Sequence, residues 1–174
     1  MPSTHTSRAT PARTQTTRSR RAGERSQDAV AFLKEQHREV GALFKQFEKL
    51  GESGPAGEKE LIVRRACEEL TVHATIEEEL FYPAARSVKG ADSLLNEADV
   101  EHASLKDLIG KLDGMDPSDE LFDASFTVLA EYVKHHVKEE EGELFPKVKK
   151  SDLDLVELGA QLAERAEALL EGES

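Results

Sequence analysis

The stretch His73-Ala-Thr-Ile-Glu77-Glu-Glu-Leu-Phe-Tyr-Pro83 returns 63 residues later as His136-Val-Lys-Glu-Glu140-Glu-Gly-Glu-Leu-Phe-Pro146. In both copies a glutamate follows the histidine by four residues and a proline follows it by ten. A further histidine precedes each copy, His37 by 36 residues and His102 by 34. The chain therefore carries one pattern, His … His-x-x-x-Glu, twice. Positions i and i+4 share a helix face, so each copy aims an imidazole and a carboxylate the same way. Any fold for this chain has to satisfy both polar faces at once.

Apolar periodicity places these faces inward. Val30, Leu33, His37, Val40, Phe44 and Phe47 step by threes and fours along a first helix, with Ser26 or Asp28 as its N-cap. Gly51 to Gly57 reads as a loop. A second helix, from about Glu58 to Arg86, carries Val63, Ala66, Leu70, His73, Glu77, Leu80 and Ala84, with a kink or stop expected at Pro83. After Gly90, a third helix aligns Leu95, Ala98, His102, Leu105, Ile109 and Leu112. Asp116 is the expected N-cap of a fourth helix, with Pro117 at its first position. That helix aligns Phe122, Phe126, Leu129, Val133, His136, Glu140 and Leu144, and leaves His135 off the stripe. Ser151 is the expected cap of a fifth helix bearing Leu155, Leu158, Leu162 and Leu169, which either packs on the bundle exterior or mediates association. The fold class expected is all-α: an up-down four-helix bundle over residues 26–150, with an extra C-terminal helix over 151–174.

Four core histidines and two core glutamates need partners. Burying two ionised carboxylates alone costs several kcal/mol each, by rough estimate, and no Lys or Arg lies on the stripes. Neutral imidazole with carboxylate suits first-row transition metals, and a pair of such ions would satisfy all six groups. Glu78, Glu79, Glu139 and Glu141 read as solvated faces, because neighbouring helix positions point about 100° away.

The remaining composition limits the alternatives. Residues 1–23 hold five arginines and no acid, so the other 151 residues carry 18 bases against 35 acids. So acidic a body repels nucleic acid. Residues 1–25, rich in Ser, Thr and Arg, read as a disordered basic tail that includes His5. They share a composition with transit peptides but lack an amphipathic pattern. The single cysteine, Cys67, excludes an intramolecular disulfide framework and fits a reducing, cytoplasmic setting as a small helix side chain. No apolar run is long enough to span a bilayer.

The doubled His-x-x-x-Glu with its trailing Phe-Tyr-Pro or Leu-Phe-Pro resembles the hemerythrin-like, HHE cation-binding family over roughly residues 28–149. That resemblance implies a four-helix bundle around a non-haem di-iron centre. It further implies that His37 and His73 ligate one iron, His102 and His136 the other, and that Glu77 and Glu140 bridge them. Ferritin-like di-iron bundles place glutamate first and histidine three residues later, the reverse of the order here. Oxygen-carrying hemerythrins have another histidine one turn after the third-helix one, where this chain has Lys106. Four histidines imply more open coordination sites, which favour reaction over reversible carriage.

Three functions are compatible with these residues. The first is a di-iron protein that binds O2 or a related small ligand, such as peroxide or NO, for storage, sensing or detoxification. The second is catalase-like or peroxidase chemistry at the same centre. The third is an iron-responsive interaction module that meets a protein partner, or another copy, through the fifth helix or the tail.

Overall fold

The computed structural model describes residues 27–172, all of whose regular structure is helical. The basic tail expected over residues 1–25 lies outside the described residues. Four long helices form the bundle: α1 (Ala29–Leu50), α2 (Ala56–Ile76), α4 (Asp92–Asp113) and α5 (Phe122–Glu139). Each of α2 and α5 runs into a π-helical turn, Glu77–Phe81 and Glu140–Leu144, and then into a single α-turn, α3 (Tyr82–Ala85) and α6 (Phe145–Val148). Helix α7 (Leu155–Leu170) follows. Consecutive long helices pack side by side, α1 on α2 and α4 on α5, while α2 meets α4 and α1 meets α5 to close the ring.

The expected stripes are buried where the helices are regular. Leu33, Val40, Phe44 and Phe47 of α1 and Leu95, Leu105, Ile109 and Leu112 of α4 all face the core. Asp28 caps α1 as expected, its Oδ1 accepting the Ala31 N–H at 2.9 Å. The other two expected caps are corrected. Asp116 caps a tight turn, accepting the Ser118 N–H at 2.9 Å, and α5 starts six residues later. Ser151 closes a turn by donating to the Val148 carbonyl, and Asp154 is the residue that caps α7, accepting the Glu157 N–H at 3.0 Å.

Pro83 lies near the helix end, as expected, with that end at Ala85, and the chain accommodates it by changing the turn before it. A proline removes an N–H and crowds the carbonyl four residues back. Here the turn before it widens, so the Tyr82 N–H reaches back five residues to the Glu77 carbonyl. The Phe145 N–H does the same to Glu140, just before Pro146. The extra residue in the turn rotates everything beyond it. Leu80 and Ala84, expected on the core stripe, are only partly buried; Phe81, Tyr82 and Ala85 take those places.

The six polar core residues lie between two apolar clusters. One holds Phe44, Phe47, Leu70, Leu105, Phe126 and Leu129. The other holds Leu33, Phe81, Leu95, Phe145 and the buried side of α7. Helix α7 packs on α1 and α2 through Leu158, Gly159, Leu162 and Ala166. Its apolar side is thus used within the chain. Gly159 is required there, since a Cβ would sit 2.2 Å from the Gln27 carbonyl oxygen and 2.8 Å from the Ala29 nitrogen. Arg165 adds a two-point contact to Glu79, at 2.7 and 3.2 Å. No described helix is long and apolar enough to cross a membrane.

Candidate metal centre

All six residues singled out in the sequence meet in the middle of the bundle. The Nε2 atoms of His37 and His73 lie 3.2 Å apart, and those of His102 and His136 lie 3.1 Å apart. Glu77 Oε2 stands 3.2 Å from His73 Nε2 and 3.5 Å from His102 Nε2, which puts one carboxylate between the two histidine pairs. Glu140 Oε2 does the same from the other side, 3.4 Å from His37 Nε2 and 3.6 Å from His136 Nε2. Glu77 is wholly buried and Glu140 is 3% exposed. His135, rejected in the sequence, is 60% exposed and pairs with Glu139 at 3.2 Å.

The outer face of every ring is held as well. His37 Nδ1 meets Glu141 Oε1 at 3.0 Å, His73 Nδ1 meets Gln36 Oε1 at 2.8 Å, His102 Nδ1 meets Glu78 Oε1 at 3.1 Å, and His136 Nδ1 meets Glu101 Oε2 at 2.8 Å. An ionised carboxylate can only accept, so such a contact puts the proton on Nδ1 and leaves the Nε2 lone pair facing inward. Glu78 and Glu141 are therefore not solvated faces. They sit at the seam where the neighbouring helix supplies a ring, and each also meets a lysine, Lys106 at 2.5 Å and Lys34 at 2.9 Å.

Tyr82 is a site residue that the α-helical period hides. Five positions after Glu77 it should lie on another face, but a turn closed from i to i+5 stacks it over Glu77. Its buried hydroxyl donates to Glu140 Oε1 at 3.0 Å and lies 3.3 Å from Glu77 Oε2, 3.2 Å from His102 Nε2 and 3.5 Å from His136 Nε2. Phe145 holds the equivalent place in the second copy and stacks on His37 with ring centroids 5.8 Å apart. The signal in the sequence was the proline after each aromatic.

Electrostatics mark the site as built for positive charge. Burial, with Glu140 alongside, pushes the Glu77 carboxyl well above its ordinary range despite the Tyr82 hydrogen bond. Burial also works to raise Glu140, but the His37 contact and the His136 and His73 imidazoles overcome it and leave that carboxyl at about 2. Burial and then the neighbouring rings hold His73 far below, and His102 below, the usual imidazole range. His136 moves up: burial opposes this, and the Glu101 contact prevails. Buried Tyr82, facing two carboxylates, is pushed well above the usual phenol range.

Among the described residues, two buried side-chain oxygens have no hydrogen-bond partner, Glu77 Oε1 and Glu140 Oε2. An orphaned buried acceptor costs about 1–3 kcal/mol, and more when charged. Both belong to groups able to hold a metal ion: His37, His73, Glu77 and Glu140 form one such group, and Glu77, His102 and His136 another. A third group, Glu101, His135 and Glu139, is nearer the surface. Cations held by the first two groups would give the two under-satisfied carboxylates and the four inward lone pairs partners, so the residues fit metal ions. A cavity of about 20 Å³ is lined by the four histidines together with Val40, Leu70, Leu105, Lys106, Ile109 and Val133.

Fold and site together define a helical bundle that binds metal cations. The model of the hemerythrin HHE cation-binding domain matches residues 28–148, and the chain belongs to that family. It is similar to the crystal structure of a hemerythrin HHE cation-binding domain-containing protein from Mycobacterium kansasii, at 27% identity and a TM-score of 0.67, covering 85% of this chain and 95% of that one. No curated protein matches significantly.

Proposed function

We propose that this chain is a non-haem di-iron protein that binds O2 or a related small ligand, peroxide or NO, in the bundle interior. Residues 26–150 would be the metal-binding unit and 151–174 an accessory segment that carries α7. His37 and His73 would hold one ion, His102 and His136 the other, and Glu77 and Glu140 would lie between them. The observation that carries this reading is the pair of buried carboxylates, Glu77 and Glu140, each with one oxygen 3.2–3.6 Å from a histidine of either copy and each with one oxygen that lacks a hydrogen-bond partner. Family membership supports a cation there, and a mixed imidazole and carboxylate set suits iron. When bound, such a pair supplies electrons and open coordination positions for a small oxidant.

The protein's own residues would do the rest. The outer carboxylates and Gln36 hold the imidazoles in orientation. The apolar lining of the cavity excludes bulk water while leaving space for a guest of about the size of one water molecule. Tyr82 keeps a proton on its hydroxyl beside the bridging carboxylates, since its phenol is held well above the usual range. Lys106, standing where oxygen carriers have a histidine, turns to Glu78 instead of ending in the cluster. That supports the catalase-like alternative, because among the described residues no fifth imidazole enters the cluster and a proton donor, Tyr82, stands beside it.

Metal content and visible spectrum of the purified protein, with and without air and with azide or peroxide added, test the proposal. Iron at two per chain, with bands that shift on adding ligand, is the expected result. A single zinc per chain with a featureless spectrum overturns it. Rapid turnover of peroxide would select the catalase-like reading, and Lys106→His should slow it.

A further inference from the structure

We infer that the two halves of the centre are unequal, with the His102/His136 half taking a cation first and holding it more tightly, because Glu101 stands where the first copy has Gln36. This rests on the two-ion reading above. Gln36 immediately precedes His37, and Glu101 immediately precedes His102. Each reaches Nδ1 of the second histidine of its own copy, and both contacts measure 2.8 Å. The geometry is the same and the side chains are nearly isosteric; only the charge differs.

The charge has two consequences. A carboxylate on Nδ1–H polarises the ring and makes Nε2 a stronger donor to a cation, whereas a neutral amide does so weakly. A carboxylate also accepts only, so it fixes the tautomer that presents the Nε2 lone pair. An amide can turn its NH2 to the ring and permit the other tautomer. The remaining pair of outer contacts does not offset this. Glu141 on His37 and Glu78 on His102 match closely, at 3.0 and 3.1 Å, and each is neutralised by a lysine. Glu101 faces His135 with its second oxygen, 3.6 Å away. Gln36 and Glu101 are thus positioning residues that grade two otherwise repeated half-sites.

Outer partners of this kind typically change metal affinity by about ten- to a hundredfold. The test is an anaerobic calorimetric titration of the metal-free full chain with Co(II), followed in parallel by its visible absorption. Wild type should bind two ions in separate steps, about tenfold or more apart. His136→Ala should remove the tighter step and His73→Ala the weaker one. Gln36→Glu should strengthen the weaker step and bring the two together, a gain that damaged folding cannot produce. Glu101→Gln should weaken the tighter step. Two ions bound without distinguishable steps, or a tighter step that survives His136→Ala and vanishes in His73→Ala, overturns the inference while leaving the two-ion reading standing. Binding of only one ion overturns both.

Discussion

The two copies of the histidine–glutamate pattern build nearly the same half-site on α1–α3 and on α4–α6, yet they differ at the aromatic that follows the π-helical turn. In the first copy Tyr82 carries a hydroxyl into the ligand cluster, over His102; in the second, Phe145 presents only a ring, stacked on His37. The shared parts are those that position the ligands: the i, i+4 pair, the widened turn and the proline beyond it. The parts that differ set the chemistry around ligands already in place. Repetition therefore marks the frame of the site, and departures from it mark where the halves have separate tasks.

The sharpest way to break the frame is to remove a carboxylate that both halves use. Glu77→Ala should strip both ions of much of their affinity, and Glu140→Ala should match it; equilibrium dialysis followed by metal analysis reads the loss. Loss of only one ion from either variant would show that the carboxylate belongs to one half. One step down, Glu78→Ala removes the acceptor on His102 Nδ1 and should cost about ten- to a hundredfold in affinity. Glu79→Ala, one residue along, should leave both ions bound and perturb only the exposed contact to Arg165, with a stability change within about half a kcal/mol.

The aromatic difference can be tested directly by making the copies alike. Tyr82→Phe should keep the fold and both ions, at a cost of about 1 kcal/mol for the lost buried hydrogen bond, while altering the spectral response to azide or peroxide. An unchanged response would reduce Tyr82 to a packing residue.

The smallest expected effect is on pH dependence. Because the metal-free Glu77 carboxyl is raised, its contribution to stability is complete below the ordinary carboxylate range and is lost as pH rises through its elevated value. Glu140 contributes in the opposite direction, being favourable above the ordinary range and lost as pH falls toward about 2. The depressed His73 and His102 add stability as pH rises to the ordinary imidazole range, so chelated protein should lose melting temperature above that range, where the raised Glu77 and His136 act without that opposition. Metal-loaded protein should lose less, because the cation takes the proton's place on Glu77 and its binding tightens with pH. Identical pH profiles with and without metal would contradict this.

Much of this was legible in the sequence because regular helices obey one period. The ladders through His37 on α1 and through His102 on α4 need only that rule, and an i, i+4 histidine–glutamate pair is unambiguous under it. What the period conceals lies beyond Glu77 and Glu140, where one added residue per turn moves Phe81 and Tyr82 into places expected for Leu80 and Ala84. The outer acceptors were hidden for another reason. Glu78, Glu141, Gln36 and Glu101 flank the stripes, and whether a flank meets water or a neighbouring helix depends on how closely that helix packs, which no single helix encodes. The fifth helix left packing or association open; the contact between Gly159 and the start of α1 gives the packing.

The central claim is that the two copies act as one centre for two ions, and iron stoichiometry across a single substitution tests it most directly. The wild-type chain should carry two irons, His136→Ala about one, and His135→Ala, one residue away on the exposed face, two with an unchanged spectrum. One iron in the wild type, or equal losses from His135→Ala and His136→Ala, would contradict it.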